Sequence, residues 1–159
     1  MLRDEIYMQM ALEEARKAAE MGEIPVGAVI VDGNGTVLAK AHNLCEDQQM
    51  PTYHAELLAV QEACRSLGSW RLSGCTVYVT LEPCPMCMGA IIHARVGRVV
   101  FGALDPRAGA CGSVIDLAEY PLESSPQTVG GVLEEECLRL LREFFSKARK
   151  KNTENHFQD

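Results

Sequence analysis

No apolar run in this chain of 159 residues reaches the roughly 20 residues that a bilayer-spanning helix requires. A helical membrane protein is therefore excluded. The opening Met1-Leu2-Arg3-Asp4-Glu5 lacks the basic and then apolar pattern of a secretory leader, having acids in its place. That absence predicts a cytoplasmic protein. Positive charge is scarce as well, with 15 Lys and Arg against 22 Asp and Glu, a net charge of −7, which argues against indiscriminate coating of nucleic acid by phosphate neutralisation. A local basic patch stays open. An even cysteine count is missing too, and seven cysteines in a chain without a leader read as thiols or metal ligands, not as a disulfide framework. Neither an internal repeat nor a linker interrupts the chain, whose length suits a single domain over residues 1–159.

The apolar residues that are present fall into alternating patterns. Ile6, Tyr7, Met10, Ala11, Ala15, Ala18 and Ala19 recur at three- and four-residue spacing, which predicts a helix from about Asp4 to Met21, closed by Gly22. Val26 to Val31, the turn Asp32-Gly33-Asn34-Gly35 and Thr36 to Ala41 predict a hairpin. A loop from Asn43 to Pro51 leads into a helix expected from His54 to Leu67, with Leu57, Leu58, Val60, Ala63, Cys64 and Leu67 inward and Gly68 past its end. Thr76–Thr80 reads as a strand, Cys84 to about Ala94 as a helix and Arg98–Gly102 as a strand. Beyond a loop of small residues at 105–113, Val114 to Leu117 is expected to form one helical turn and Glu119 to Gln127 to be irregular. A helix from Val132 to about Arg149 follows, with a disordered tail from Lys150. Strands alternating with helices after a hairpin predict an α/β protein, a three-layer α/β/α sandwich around a mixed sheet.

Two short segments carry chemistry: His54-Ala55-Glu56 and Pro83-Cys84-Pro85-Met86-Cys87. Catalytic zinc takes three protein ligands and leaves a fourth position for water, and His54, Cys84 and Cys87 supply three. Cys84 and Cys87, at i and i+3, share one face of a helix's first turn, where unpaired N–H groups favour thiolates. His54 and Glu56, two apart, serve one site only at a helix start, so two helix N-termini should converge on the ion. Glu56 would then be the general acid/base, carrying protons between water and substrate. A structural zinc site would need a fourth protein ligand, for which Cys75, His93 and Cys111 are the candidates.

With these residues in hand, the chain resembles the cytidine/deoxycytidylate deaminase superfamily, in particular its bacterial tRNA-specific adenosine deaminases. The resemblance covers about residues 4–148. It includes Pro25-Val26-Gly27-Ala28-Val29, His42-Asn43, Trp70-Arg71-Leu72, Tyr78 through Cys84, Arg98-Val99-Val100-Phe101-Gly102, Gly109 through Ser113 and Gly131 through Cys137. It implies a cytidine deaminase-like five-stranded sheet, one zinc ion per chain on His54, Cys84 and Cys87, proton transfer by Glu56, and a homodimer that binds a tRNA anticodon stem-loop. It also implies substrate contacts by Asn43, Val26, Gly27, Ala55, Asp105 and Arg107, to which Tyr53 is added because a phenol at that position can stack on the base or narrow the pocket. Arg71, Arg95, Arg98, Arg107, Lys147, Arg149, Lys150 and Lys151 are the candidate RNA-facing cations. Tyr53 departs from the small alanine that these relatives usually have before the metal histidine, and Leu122-Glu123-Ser124-Ser125-Pro126 lacks their usual Phe-Asn-His. Both departures bear on substrate. The reading that results is hydrolytic deamination of wobble adenosine to inosine. Its alternatives are the same chemistry on a free nucleobase or nucleoside, and a non-catalytic zinc-binding or interaction protein.

Overall fold

The structure, a computed structural model, describes residues 2–156. Five strands form one mixed sheet in the order β2-β1-β3-β4-β5. These are β1 (Gly27–Val31), β2 (Val37–His42), β3 (Thr76–Leu81), β4 (Arg98–Ala103) and β5 (Gln127–Val129). The β1–β2 hairpin and the β1–β3 pair are antiparallel, whereas β3–β4 and β4–β5 run parallel. Helix α1 (Leu2–Glu20) and the C-terminal helix cover one face. Helices α3 (Ala55–Leu67) and α4 (Pro85–His93) cover the other.

Strand pleating sorts side chains between the layers. Ala28, Ile30, Val77, Val79, Val99 and Phe101 pack with α3 and α4, while Val29, Val31, Tyr78 and Val100 pack with α1. The α/β/α sandwich and its mixed sheet are thus as the alternation predicts. Gly27 falls on the α1 side, where a Cβ would overlap the backbone of Ala11 and Ala15. Only glycine lets α1 lie this close to the sheet.

Five expectations need correction. The 43–51 segment is not all loop: α2 (Cys45–Gln48) forms one turn there, because the buried Glu23 carboxylate accepts from the amides of Glu46 and Asp47 at 2.6 and 2.9 Å. That cap comes from more than twenty residues away in sequence, so local periodicity does not reveal it. Residues 114–117 form no helical turn. A bridge joins Cys111 to Asp116, and a 3₁₀ turn follows at Leu117–Glu119. The segment expected to be irregular ends in β5, only three residues long and too short to show alternation. Lastly, α5 (Glu134–His156) continues past Arg149, since Ala148, Arg149, Lys150 and Lys151 all favour helix. Of the tail expected to be disordered, residues 157–159 lie outside the described residues. Leu67, placed inward from sequence, is exposed.

A partly buried polar link ties α1 to β3 and β4. Both Arg98 guanidinium nitrogens Nη1 and Nη2 donate to the Asp4 carboxylate at 2.7 Å, and the Tyr78 hydroxyl donates to it at 2.8 Å. The Arg98 bonds hold the Asp4 carboxyl below the usual range. A carboxyl depressed in the fold stabilises it above the unfolded pKa, and that stability is lost as pH falls through the folded value. Asp4→Asn should therefore destabilise by about 1–2 kcal/mol at neutral pH, a figure discounted because Arg98 is partly in water. Thermal melts at stepped pH should show the deficit shrinking as pH drops below about 4. Among the described residues, no helix is long and apolar enough to cross a membrane.

Candidate active site

The edge of the sheet where β3 ends meets the N-termini of α3 and α4. His54 is the cap residue of α3, held extended at φ −75° and ψ 149°, and Cys84 caps α4 at φ −76° and ψ 171°. Cys84 therefore precedes the helix that its spacing from Cys87 predicts it to open. Being the cap instead, it sits with Cys87 across the first turn, Pro85 occupying the helix's first position, where no N–H is needed. Two helix N-termini do converge here.

His54 Nδ1 lies 3.6 Å from Cys84 Sγ and 3.5 Å from Cys87 Sγ, and the three ligand atoms lie within 4.8 Å of one another. A tetrahedral ion with zinc's usual bond lengths to nitrogen and sulfur would set N···S separations of about 3.6 Å. The donor set therefore fits zinc in kind and in spacing. None of the candidate fourth ligands joins it. Cys75 is buried in the core, His93 is exposed at the far end of α4 beside Glu123, and the Cys111 thiol donates to Met88 Sδ at 3.6 Å. Among the described residues the cluster has three protein ligands, the number that leaves a catalytic position open.

Electrostatics set the two cysteines apart. Cys84 is held down at about 4 by the neighbouring Cys87 thiol and by His54. Cys87 is pushed up by that same contact with Cys84, by burial and by the Glu56 charge. His54 is raised by its contact with Cys84. Glu56, only 4% exposed, is pushed up to about 7 by burial, which outweighs the pull of His54. A buried carboxyl poised near neutrality can both take and give a proton.

The expected substrate contacts divide. Val26 and Ala55 share the α3 face of the sheet, and Tyr53 is half-buried beside His54. Gly27 does not line this side, because the pleat turns it toward α1. Ala55 is fully buried, and its amide donates to Asn43 Oδ1 at 2.8 Å. The Asn43 Nδ2 in turn donates to the Ile24 carbonyl at 3.2 Å. Asn43 thus braces the start of α3 and with it His54. Asp105 works within its own turn, accepting from the amides of Arg107 and Ala108. Arg107 is exposed and has no ion-pair partner among the described residues.

Of the other expected RNA-facing cations, Arg98 and Arg95 are ion-paired within the chain, whereas Arg71 and the four on α5 are exposed. Arg98 is bound to Asp4, Arg95 to Glu123 at 2.8 Å, and Arg71 lies over the Trp70 ring at 4.8 Å. Lys147, Arg149, Lys150 and Lys151 ride on α5. Glu23, missed from sequence, holds α2 and hence the approach to Tyr53 and His54. No local signal marks it, since its partners are backbone amides far along the chain.

With this geometry in view, the likeness to known proteins is specific. Residues 1–103 match the family model of the cytidine and deoxycytidylate deaminase zinc-binding region. A tRNA-specific adenosine deaminase of Bacillus subtilis strain 168 is 53% identical over 95% of this chain and 94% of its own length. A solved structure from work on A-to-I editing by tRNA:A34 deaminases at the wobble position superposes with a TM-score of 0.82 at 41% identity, covering 85% of this chain and 98% of that one. The guanine deaminase of Nitrosomonas europaea superposes less closely, with a TM-score of 0.74 at 25% identity over 88% of this chain and 83% of that one.

Proposed function

This chain belongs to the cytidine and deoxycytidylate deaminase family, and on that premise we infer that it hydrolyses the 6-amino group of the wobble adenosine in a tRNA anticodon loop, giving inosine. The observation that carries the chemistry is the convergence of His54, Cys84 and Cys87 beside the buried Glu56. Identity of 53% over nearly the whole length of a tRNA-specific adenosine deaminase supports the substrate. Tyr53 and the divergent 122–126 segment occur within that overall likeness and do not outweigh it.

Zinc held by the three ligands, one ion per chain, would supply the Lewis acidity that makes water a nucleophile near neutral pH. Glu56 takes a proton from the attacking water and delivers it to the ring nitrogen next to C6. A carbon–oxygen bond forms at C6. Glu56 then passes the second proton to the amine, the carbon–nitrogen bond breaks, and ammonia leaves. This is the role that base deaminases assign to a glutamate that is not a zinc ligand. Tyr53 stands next to the ligand histidine and is assigned with Val26 to the wall of the base pocket, and Asn43 fixes the helix start from which Glu56 projects. The exposed Arg107 is the cation best placed to meet the RNA backbone. A homodimer binding the anticodon arm, and a cytoplasmic location, complete the reading.

Purified protein incubated with an anticodon stem-loop bearing a wobble adenosine, and separately with free bases and nucleosides, should release ammonia only from the stem-loop. Turnover confined to guanine, cytosine or their nucleosides would replace the RNA assignment with the small-substrate one.

A further inference from the structure

Glu82 stands two residues before Cys84 and has no part in the proton transfers above, yet it is 2% exposed. Its carboxylate gathers four donors. Oε1 accepts from the Asp105 amide at 3.1 Å and from the Ser113 hydroxyl. Oε2 accepts from the amides of Cys111 and Ser113 at 3.0 and 3.1 Å. These donors come from both legs of the 105–113 loop, so one side chain closes the loop on itself. The backbone adds a second tie, Ala110 donating to the Pro83 carbonyl at 2.8 Å. Gly109 packs so closely on the Glu82 carboxylate that a Cβ there would overlap it. The loop is thus fastened to the two residues that lead into the ligand Cys84, and Arg107 stands exposed on it.

We propose that Glu82 is a positioning residue, which fixes the 105–113 loop and its Arg107 relative to the Cys84 end of the site and so sets how tightly the enzyme engages RNA around the target base. The proposal rests on the functional reading above. A carboxylate is required because every neighbour donates. A glutamine would turn an N–H toward backbone N–H groups, leaving buried donors opposed. The loss would fall on loop placement, since Glu82 touches neither Glu56 nor the ligand atoms through any hydrogen bond in the structure.

Glu82→Gln tests this with three readouts. For the anticodon stem-loop, KM should rise about 10-fold or more, as expected for the loss of one charge-assisted hydrogen bond. The kcat should stay within about 3-fold, a change worth well under one such bond, and bound zinc should equal that of the unaltered protein. Amide exchange at Cys111 and Ser113 should quicken by about 10-fold. Ser113→Ala should move KM and exchange the same way by less, and Ser113→Thr, which keeps the hydroxyl, should restore both. These variants carry the test if Glu82→Gln does not fold. Loss of zinc, a fall in kcat exceeding the rise in KM, or unchanged KM and exchange in the variants would overturn the proposal. An unaltered protein inactive on the stem-loop would sink the functional reading instead, and the exchange rates would still decide whether Glu82 holds the loop.

Discussion

Glu56→Ala should lower kcat for wobble-adenosine deamination by about 10³-fold or more while the protein keeps its zinc and its melting temperature. The size follows from losing a positioned proton carrier, an effect typically of 10²- to 10⁴-fold, at a step where protons must both leave water and reach the amine. Stability should hold because burial already penalises the charged Glu56, as its rise to about 7 records. Removing a desolvated acid relieves that penalty. Glu56→Gln should be equally inactive, since it keeps the shape and loses the titration. Metal analysis, a melt and single-turnover kinetics on one preparation separate the possibilities. A variant retaining more than about a tenth of the wild-type rate would move the proton transfer to another group.

Cys87→Ala should lose both metal and fold stability. Its thiol is fully buried where α4 meets α3, and with His54 and Cys84 it would hold zinc between two helix starts. Zinc bound only by the folded state stabilises by mass action, so stripping it from the unaltered protein with a strong chelator should remove about 3 kcal/mol or more. Cys87→Ala should purify with less than about a tenth of the normal zinc, since two ligands hold the ion far more weakly than three. It should melt like the stripped protein and show no deamination. Cys111→Ala is the control, because its thiol meets Met88 and not the ligand group. Its zinc content should not change. Normal zinc in Cys87→Ala would mean that the ligand set is misassigned.

How far the sequence could be read follows from where each interaction lies along the chain. The layers were legible because strands and helices alternate along the chain, whereas the face that each residue of β1 and β3 takes was not, since these strands are buried on both sides. The two helix starts at the site were legible because His54 and Glu56, two apart, can serve one point only at a helix end. Contacts between distant segments were not legible. Glu23 caps α2 from across a hairpin, and Glu82 binds a loop more than twenty residues later. Both lack local periodicity. Gly27 misled for the same reason. It lies in a segment expected to wall the pocket, but the pleat sends its missing side chain toward α1. The bond of Arg98 to Asp4, 94 positions earlier, was equally out of reach of any local pattern.

Wobble-adenosine deamination is tested most directly by one product analysis. An unmodified tRNA transcript with adenosine at the wobble position is incubated with zinc-loaded protein, and its nucleosides are mapped along the anticodon loop. Inosine should appear at the wobble position alone, with ammonia released in equal amount and neither formed by Glu56→Ala. Adenosine left intact there, while a free base or nucleoside is converted, would contradict the account.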